Sequence, residues 1–231
     1  MSRINFFPDP IIEYNFENVY RPSDDTYLVV DYLKYHLDYD YFDGIPLEKI
    51  DNVLDMGTGT GYIALSLSIM KQTIPKFRPK IYASDISKEA IILSKSNEKL
   101  NNFHGKIQFI HSDLFQSFPN HLKHEFNIII FNPPYLPSIK SRKHKNDKKS
   151  IDYSWDGGEQ GFEVFLRFLD QAAEFLSTDA TSCIYYVCSS RTNLKKLYSL
   201  IESKGYQNKI LEKRHVFLED IYLNKLHVIS D

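Results

Sequence analysis

At 231 residues the chain is long enough to bury a substantial core, as one large domain or one domain with an appendage. Its net charge of −2 and pI near 6.4 argue against a protein whose main business is coating nucleic acid or anionic membrane. Acids and prolines interrupt MSRINFFPDPIIEYNF, no apolar run approaches the ~20 residues of a membrane span, and Cys183 and Cys188 are the only cysteines; together these predict a soluble, cytoplasmic protein without a local disulfide.

In chain order, residues 1–50 predict an N-terminal extension with one helix, opening at Ser23 with Asp24 and Asp25 at the positive end of its dipole. NVLDM (52–56) is a short apolar strand, YIALSLSIMK (62–71) carries apolar residues at helical spacing, and KIYASD (80–85) alternates again. Ser87 suits an N-cap over KEAIILSKSNEKLN. KIQFIHSD (106–113) and FNIIIFN (126–132) read as strands, with Ile128, Ile129 and Ile130 covered on both faces. His121 and His124 sit in a polar loop that reads as solvated, so no metal site is expected. Residues 138–150, SIKSRKHKNDKKS, form a basic loop insert whose first reading is a solvated segment; its charge also suits contact with RNA, which nothing else requires.

Beyond the insert come a helix over EVFLRFLDQAAEFL (163–176), a strand over TSCIYYVCSS (181–190) and a helix over TNLKKLYSLIESKG (192–205) that stops at Gly205. Cys183 and Cys188, five apart in that strand, should face opposite sides of a sheet. KILEKRHVF and DIYLNKLHVIS close the chain as two further strands. Repeated strand–helix alternation predicts an α/β fold, a parallel sheet with helices on both faces, to which the final pair adds an antiparallel strand.

VLDMGTGTGYIAL places Gly57, Gly59 and Gly61 between a strand and a helix, where the backbone can turn sharply and approach a ligand. Gly59 to Ala64 also satisfies the G-x-G-x-x-G/A dinucleotide pattern, with Asp85 about 20 residues on, so a nicotinamide reading survives this segment taken alone. Asp55 shifts the balance. A carboxylate two residues before Gly57 meets a cationic ligand favourably and a diphosphate unfavourably, which points to the amino-acid moiety of S-adenosylmethionine. Asp85 then accepts from ribose hydroxyls, and Asp113, ending a strand, from an adenine amine with Leu114 as apolar neighbour.

FNPPYLP (131–137) ends the next strand on the same edge. A planar NH2 is a poor nucleophile because its lone pair is delocalised; acceptors on both N–H bonds return density to nitrogen. The Asn132 side-chain oxygen and the Pro133 carbonyl are candidates for those acceptors, held in fixed directions by Pro133 and Pro134. Tyr135 can stack on the planar substrate group, so Asn132, Pro133, Pro134 and Tyr135 form the candidate catalytic and substrate-binding set.

DMGTGTG, ASD, HSDLF and FNPPY, in this order, resemble the class I S-adenosylmethionine-dependent amino-N methyltransferases, and more narrowly the HemK/PrmC protein-glutamine methyltransferases. VYRPSDDTYLVVDYL (19–33) and WDGGEQGFEVF (155–165) sharpen the resemblance to the short branch of archaea and eukaryotes. It implies a single Rossmann-like methyltransferase domain over 1–231, with a seven-stranded, mostly parallel sheet carrying one antiparallel strand. It implies N5-methylation of the glutamine in the GGQ motif of a class I release factor. It further implies cofactor contacts from Thr26, Asp55, Gly57, Asp85, Asp113 and Leu114, Asn132 touching both cofactor and substrate, and a small zinc-binding activator subunit. The residues themselves leave other acceptors open: adenine or guanine in RNA or DNA, a protein lysine, or no acceptor in an inactive scaffold.

Overall fold

The computed structural model describes residues 7–138 and 156–229, so the basic insert lies outside the described residues except for Ser138. The N-terminal extension holds helix α1 (Asp24–His36) and a small hairpin of β1 (Tyr41–Phe42) and β2 (Ile45–Pro46). The main sheet collects β3 (Asn52–Met56), β4 (Lys80–Asp85), β5 (Ile107–His111), β6 (Ile128–Phe131), β7 (Cys183–Ser189), β8 (Tyr206–Val216) and β9 (Glu219–Val228). Its seven strands run in the order β5-β4-β3-β6-β7-β9-β8; β9 alone runs opposite to the other six, as expected. Helices α2 (Tyr62–Thr73), α3 (Lys88–Leu100), α4 (Glu163–Ala172) and α5 (Leu194–Ser203) supply the crossovers.

The period of two along the strands sorts side chains into two cores. Val53, Ile81, Ile128, Ile130, Cys183 and Tyr185 pack beneath α1 and α2, while Leu54, Tyr82, Ile129, Ile184, Tyr186 and Cys188 pack beneath α4 and α5. The two cysteines therefore lie on opposite faces, both buried and both free thiols. Ile128, Ile129 and Ile130 are fully buried, each contributing about 1.5–3 kcal/mol of apolar burial, which places β6 in the middle of the sheet. Asp43, between β1 and β2, accepts from the Tyr32 and Tyr185 hydroxyls at 2.9 and 2.6 Å and from Lys225 Nζ at 2.8 Å. That network ties the extension to β7 and β9. Among the described residues no helix is long and apolar enough to cross a membrane.

Several elements are shorter than their patterns. Helix α4 stops at Ala172 because residues beyond it leave to pair with the chain entering β6: Phe126 N–H donates to Phe175 O, and Ser177 N–H to Phe126 O. β6 starts at Ile128 because the Asn127 side chain accepts from the N–H groups of Asp51 and Asn52. Helix α5 begins after Asn193, whose side chain accepts from Lys196 N–H, and Gly205 follows its end with φ +82°. Ser87 caps α3 by accepting from Ala90 N–H, whereas Ser23 precedes α1 without a side-chain cap bond.

Candidate functional site

Parallel pairing of β5, β4, β3 and β6 brings their carboxyl ends to one edge of the sheet. The glycine turn lies there, between β3 and α2, with φ of +67°, +54° and +87° at Gly57, Gly59 and Gly61. Gly57 needs its missing side chain twice: its φ is left-handed, and a Cβ would sit 3.1 Å from the Phe131 ring at the end of β6. Asp85 closes the turn from β4, its Oδ2 accepting from Gly59 N–H at 2.9 Å and its Oδ1 from Ser87 N–H at 2.8 Å. Burial of the Asp85 carboxyl raises its pKa, against the pull of those backbone donors.

Asp55 is 1% exposed. Its Oδ2 accepts from Thr58 Oγ1 at 2.6 Å and from Ala64 N–H at 3.1 Å, while Oδ1 is buried with no hydrogen-bond partner. Burial, with a smaller contribution from the charge of Asp85, pushes its pKa up to about 7. A buried carboxylate with one idle oxygen is a site waiting for a cation or a donor. That donor chemistry fits the ammonium of an amino-acid moiety.

The second half of the site is built on Asn132, the residue after β6. Its Nδ2 faces Thr26 Oγ1 at 3.4 Å, and its Oδ1 is buried without a partner, the second idle acceptor on this edge. Thr26 belongs to the first turn of α1, so the PSDDT and FNPPY segments meet although 106 residues separate them. Asp25, 3% exposed, is the hub of that meeting. Its carboxylate accepts from Thr26 N–H at 2.6 Å, from the Tyr20 hydroxyl at 3.0 Å and from the Tyr135 hydroxyl at 3.0 Å. Burial first, then the Asp25 charge, pushes the Tyr20 and Tyr135 hydroxyls above their usual pKa and keeps both protonated as donors. Tyr135 is thereby held at its hydroxyl.

The DGGEQG segment lies against the back of FNPPYLP. Leu136 and Asp156 form a parallel bridge; Gly157 N–H donates to Leu136 O at 2.9 Å and Ser138 N–H to Gly158 O at 2.8 Å. Asp156 Oδ1 accepts from Ser138 Oγ at 2.6 Å and from Gly158 N–H at 2.9 Å. The close approach depends on glycine: a Cβ on Gly157 would stand 2.6 Å from Pro134 O, and one on Gly161 the same distance from Tyr135 O.

Asp113 departs from its predicted position. β5 ends at His111, so Asp113 lies in the turn beyond, with Oδ2 accepting from Arg167 at 2.8 Å and from Gln116 at 3.2 Å. Leu114 follows with φ +49°, buried among Met56, Phe115 and Phe131. Three contributors carry no mark of their role in the sequence: Asp25, which anchors Tyr135, Tyr20, which shares the Asp25 carboxylate, and Thr58, which orients Asp55. Asp25 carried only a helix-dipole signal, and the tyrosines' partnership with it has no local spacing. Among the described residues no group of three or more His, Cys, Asp or Glu side chains is placed to hold a metal ion.

A seven-stranded sheet of this order, a glycine turn after its first core strand and an acceptor-bearing strand end beside it define a class I S-adenosylmethionine-dependent methyltransferase. The family described as "Methyltransferase small domain" matches residues 42–148. A Methanocaldococcus jannaschii protein assigned to the protein N5-glutamine methyltransferases is 30% identical over 203 residues, 88% of each chain. The Schizosaccharomyces pombe eRF1 methyltransferase catalytic subunit mtq2 is 25% identical over 224 residues, 94% of this chain and 92% of that one. Among solved structures, the Mtq2 of the E. cuniculi Mtq2–Trm112 complex, responsible for methylating the termination factor eRF1, superposes with a TM-score of 0.61 at 24% identity. The match covers 92% of this chain and 99% of that one. The chain belongs to the HemK-type protein glutamine methyltransferase family.

Proposed function

We propose that the chain, acting as one methyltransferase domain, transfers a methyl group to N5 of the glutamine in the Gly-Gly-Gln motif of a class I translation termination factor. The observation that carries this reading is the buried, unpartnered Oδ1 of Asn132 on a braced strand end, an acceptor reserved for an incoming N–H. The names of the relatives support the choice of a protein amide over a nucleobase. A small zinc-binding activator subunit, pairing with the sheet as a heterodimer in the cytoplasm, completes the proposal; the S. pombe relative is named as a catalytic subunit, and the E. cuniculi protein was solved with Trm112.

When bound, S-adenosylmethionine supplies an electrophilic methyl on a sulfonium. Asp55 would hold its ammonium; the Gly57–Gly59 backbone and Asp85 would face its ribose, and Asp113 with Leu114 its adenine. Thr26 and Asn132 would meet the methyl-bearing end. The acceptors on the substrate are Asn132 Oδ1 and Pro133 O. Each takes one N–H of the glutamine amide, which returns electron density to nitrogen and aims it along the transfer line. Transfer would form the N–CH3 bond as the S–CH3 bond breaks and a neutral thioether leaves, and the surplus amide proton would pass along its N–H···O contact to solvent; no strong base is required. Tyr135, held by Asp25, forms one wall for the planar amide.

The test is transfer of labelled methyl to a purified termination factor. Label on the native factor and none above background after its GGQ Gln→Ala replacement is the expected result; label that persists sinks the substrate, and label on RNA instead replaces it with a nucleobase.

Asp55 adds a pH signature. Its folded pKa of about 7 lies above the ordinary 3.8, so the folded apo chain holds an extra proton between the two and this group's contribution to stability falls as pH rises through that window. A cation against Oδ1 favours the charged form, so cofactor binding releases up to one proton. Affinity for S-adenosylmethionine should rise from about pH 6 to about pH 7.5, below the ligand's own α-amino pKa of about 7.7–8.0. Titration calorimetry in two buffers of different ionisation enthalpy reads this directly; a flat profile would remove Asp55 from the ammonium site.

A further inference from the structure

The hairpin joining β8 and β9 turns through two residues, Phe217 and Leu218, which are 91% and 87% exposed. A two-residue hairpin turn favours Asn-Gly or a glycine, because it requires positive φ. Here the positive φ, +50°, falls on a phenylalanine. The chain thus gives up turn stability to present two large apolar side chains to solvent, and both lie at one tip.

The tip has a defined place. β9 runs antiparallel to β7 with Ser189 opposite Ile221, so the start of β9, and the turn before it, lies at the carboxyl edge where Asn132 follows β6. Its base is held rigidly. Arg214 donates to Asp24 O at 3.3 Å and to Asp31 Oδ2 at 2.8 Å on α1, Asp220 N–H donates to Ser190 Oγ at 2.9 Å, and Ser189 Oγ donates to Glu219. Glu219, adjacent to Leu218, is near enough for its charge to raise the pKa of the Tyr20 and Tyr135 hydroxyls, after burial and Asp25. The tip therefore stands on the same edge of the sheet as Tyr135, the wall proposed for the substrate amide.

Charges around the tip are paired among themselves. Lys213 bridges to Asp220 at 2.8 Å, His215 to the same carboxylate at 2.9 Å, and Arg191 lies 3.7 Å from Glu219. What the hairpin offers a partner is then apolar. A glycine-flanked glutamine side chain buries little surface, so a protein substrate needs contacts on its folded body to be held over the site.

We propose that Phe217 and Leu218 form a docking knob that seats in an apolar depression on the folded body of the substrate protein, outside the methylated loop. The inference rests on the protein-substrate reading above. A second copy of the chain on this knob would stand over the edge that the substrate must reach, which argues for the substrate as occupant.

The test uses the full chain, with its activator if one is needed, carrying Phe217→Gly, the residue that the positive φ there favours, and Leu218→Asn, so that folding is retained or improved. Two acceptors are compared, the intact termination factor and a short peptide bearing its Gly-Gly-Gln loop. The expected result is a KM for the intact factor raised tenfold or more with kcat unchanged, and unaltered transfer to the peptide. Equal kinetics of variant and native enzyme on the factor would overturn the knob while leaving the substrate reading intact. An equal loss on factor and peptide would also overturn it, as would a native-enzyme dimer that the variant abolishes. Native enzyme that labels neither acceptor would overturn the substrate reading and the inference with it.

Discussion

Replacing Asn132 with alanine should lower kcat by about 100- to 1,000-fold, the scale on which single preorganised hydrogen-bonding groups act in a buried site. The Asn132 Oδ1 is buried and unpartnered in the chain itself, and its Nδ2 faces Thr26 Oγ1 on a helix from the far end of the sequence. A buried acceptor left idle costs roughly 1–3 kcal/mol, a cost that a substrate N–H removes on arrival. The alanine variant should consequently fold at least as well as the native chain while losing turnover. Single-turnover transfer with saturating cofactor and acceptor separates chemistry from binding; a rate within about threefold of native, with the cofactor bound, would remove Asn132 from the reaction.

Replacing Gly161 with alanine should be nearly as damaging from outside the chemistry. Its φ is +84°, and a Cβ would lie 2.6 Å from Tyr135 O, 2.8 Å from Thr192 Cγ2 and 3.0 Å from Pro137 N. Two of those neighbours are shelf backbone, which cannot swing aside as a side chain can. The shelf must move, and a displacement near 1 Å costs about 100-fold in rate. Left-handed strain adds about 1–2 kcal/mol, so Tm should fall by several degrees for a chain of this size. Gly105→Ala is the matched control, with φ +66° and nothing within 4 Å of its Cβ. It should lose only the strain part of that stability and no activity. If the two variants lose activity equally, the DGGEQG segment does not brace the shelf.

The contrast between these two residues shows which parts of the site were readable. Asn132 announces itself because a polar residue closes an apolar strand and precedes two prolines. Gly161 has no such mark; its role depends on Tyr135 O lying behind it. Asp113 shows the same division. Its type and approximate place followed from HSDLF, but its position beyond β5 and its pairing with Arg167 of α4 depend on how the crossover returns. Asp25 was legible as a helix-start acid and nothing more, since Tyr20 and Tyr135 reach it only in the folded chain.

What the sequence determined by itself is everything carried by short periods. Alternation at two and recurrence near 3.6 residues identified strands and helices, their succession required a parallel sheet with covered faces, and the glycines and strand-end polar residues had to gather at its carboxyl edge. Tertiary structure alone decided which of those residues touch: Thr26 with Asn132, Asp25 with Tyr135, and the DGGEQG glycines with the proline shelf. The physical reason is one of range. Backbone periodicity is set by neighbours within a few residues, whereas these contacts are fixed by helix packing and crossover lengths that bring together residues up to 110 positions apart.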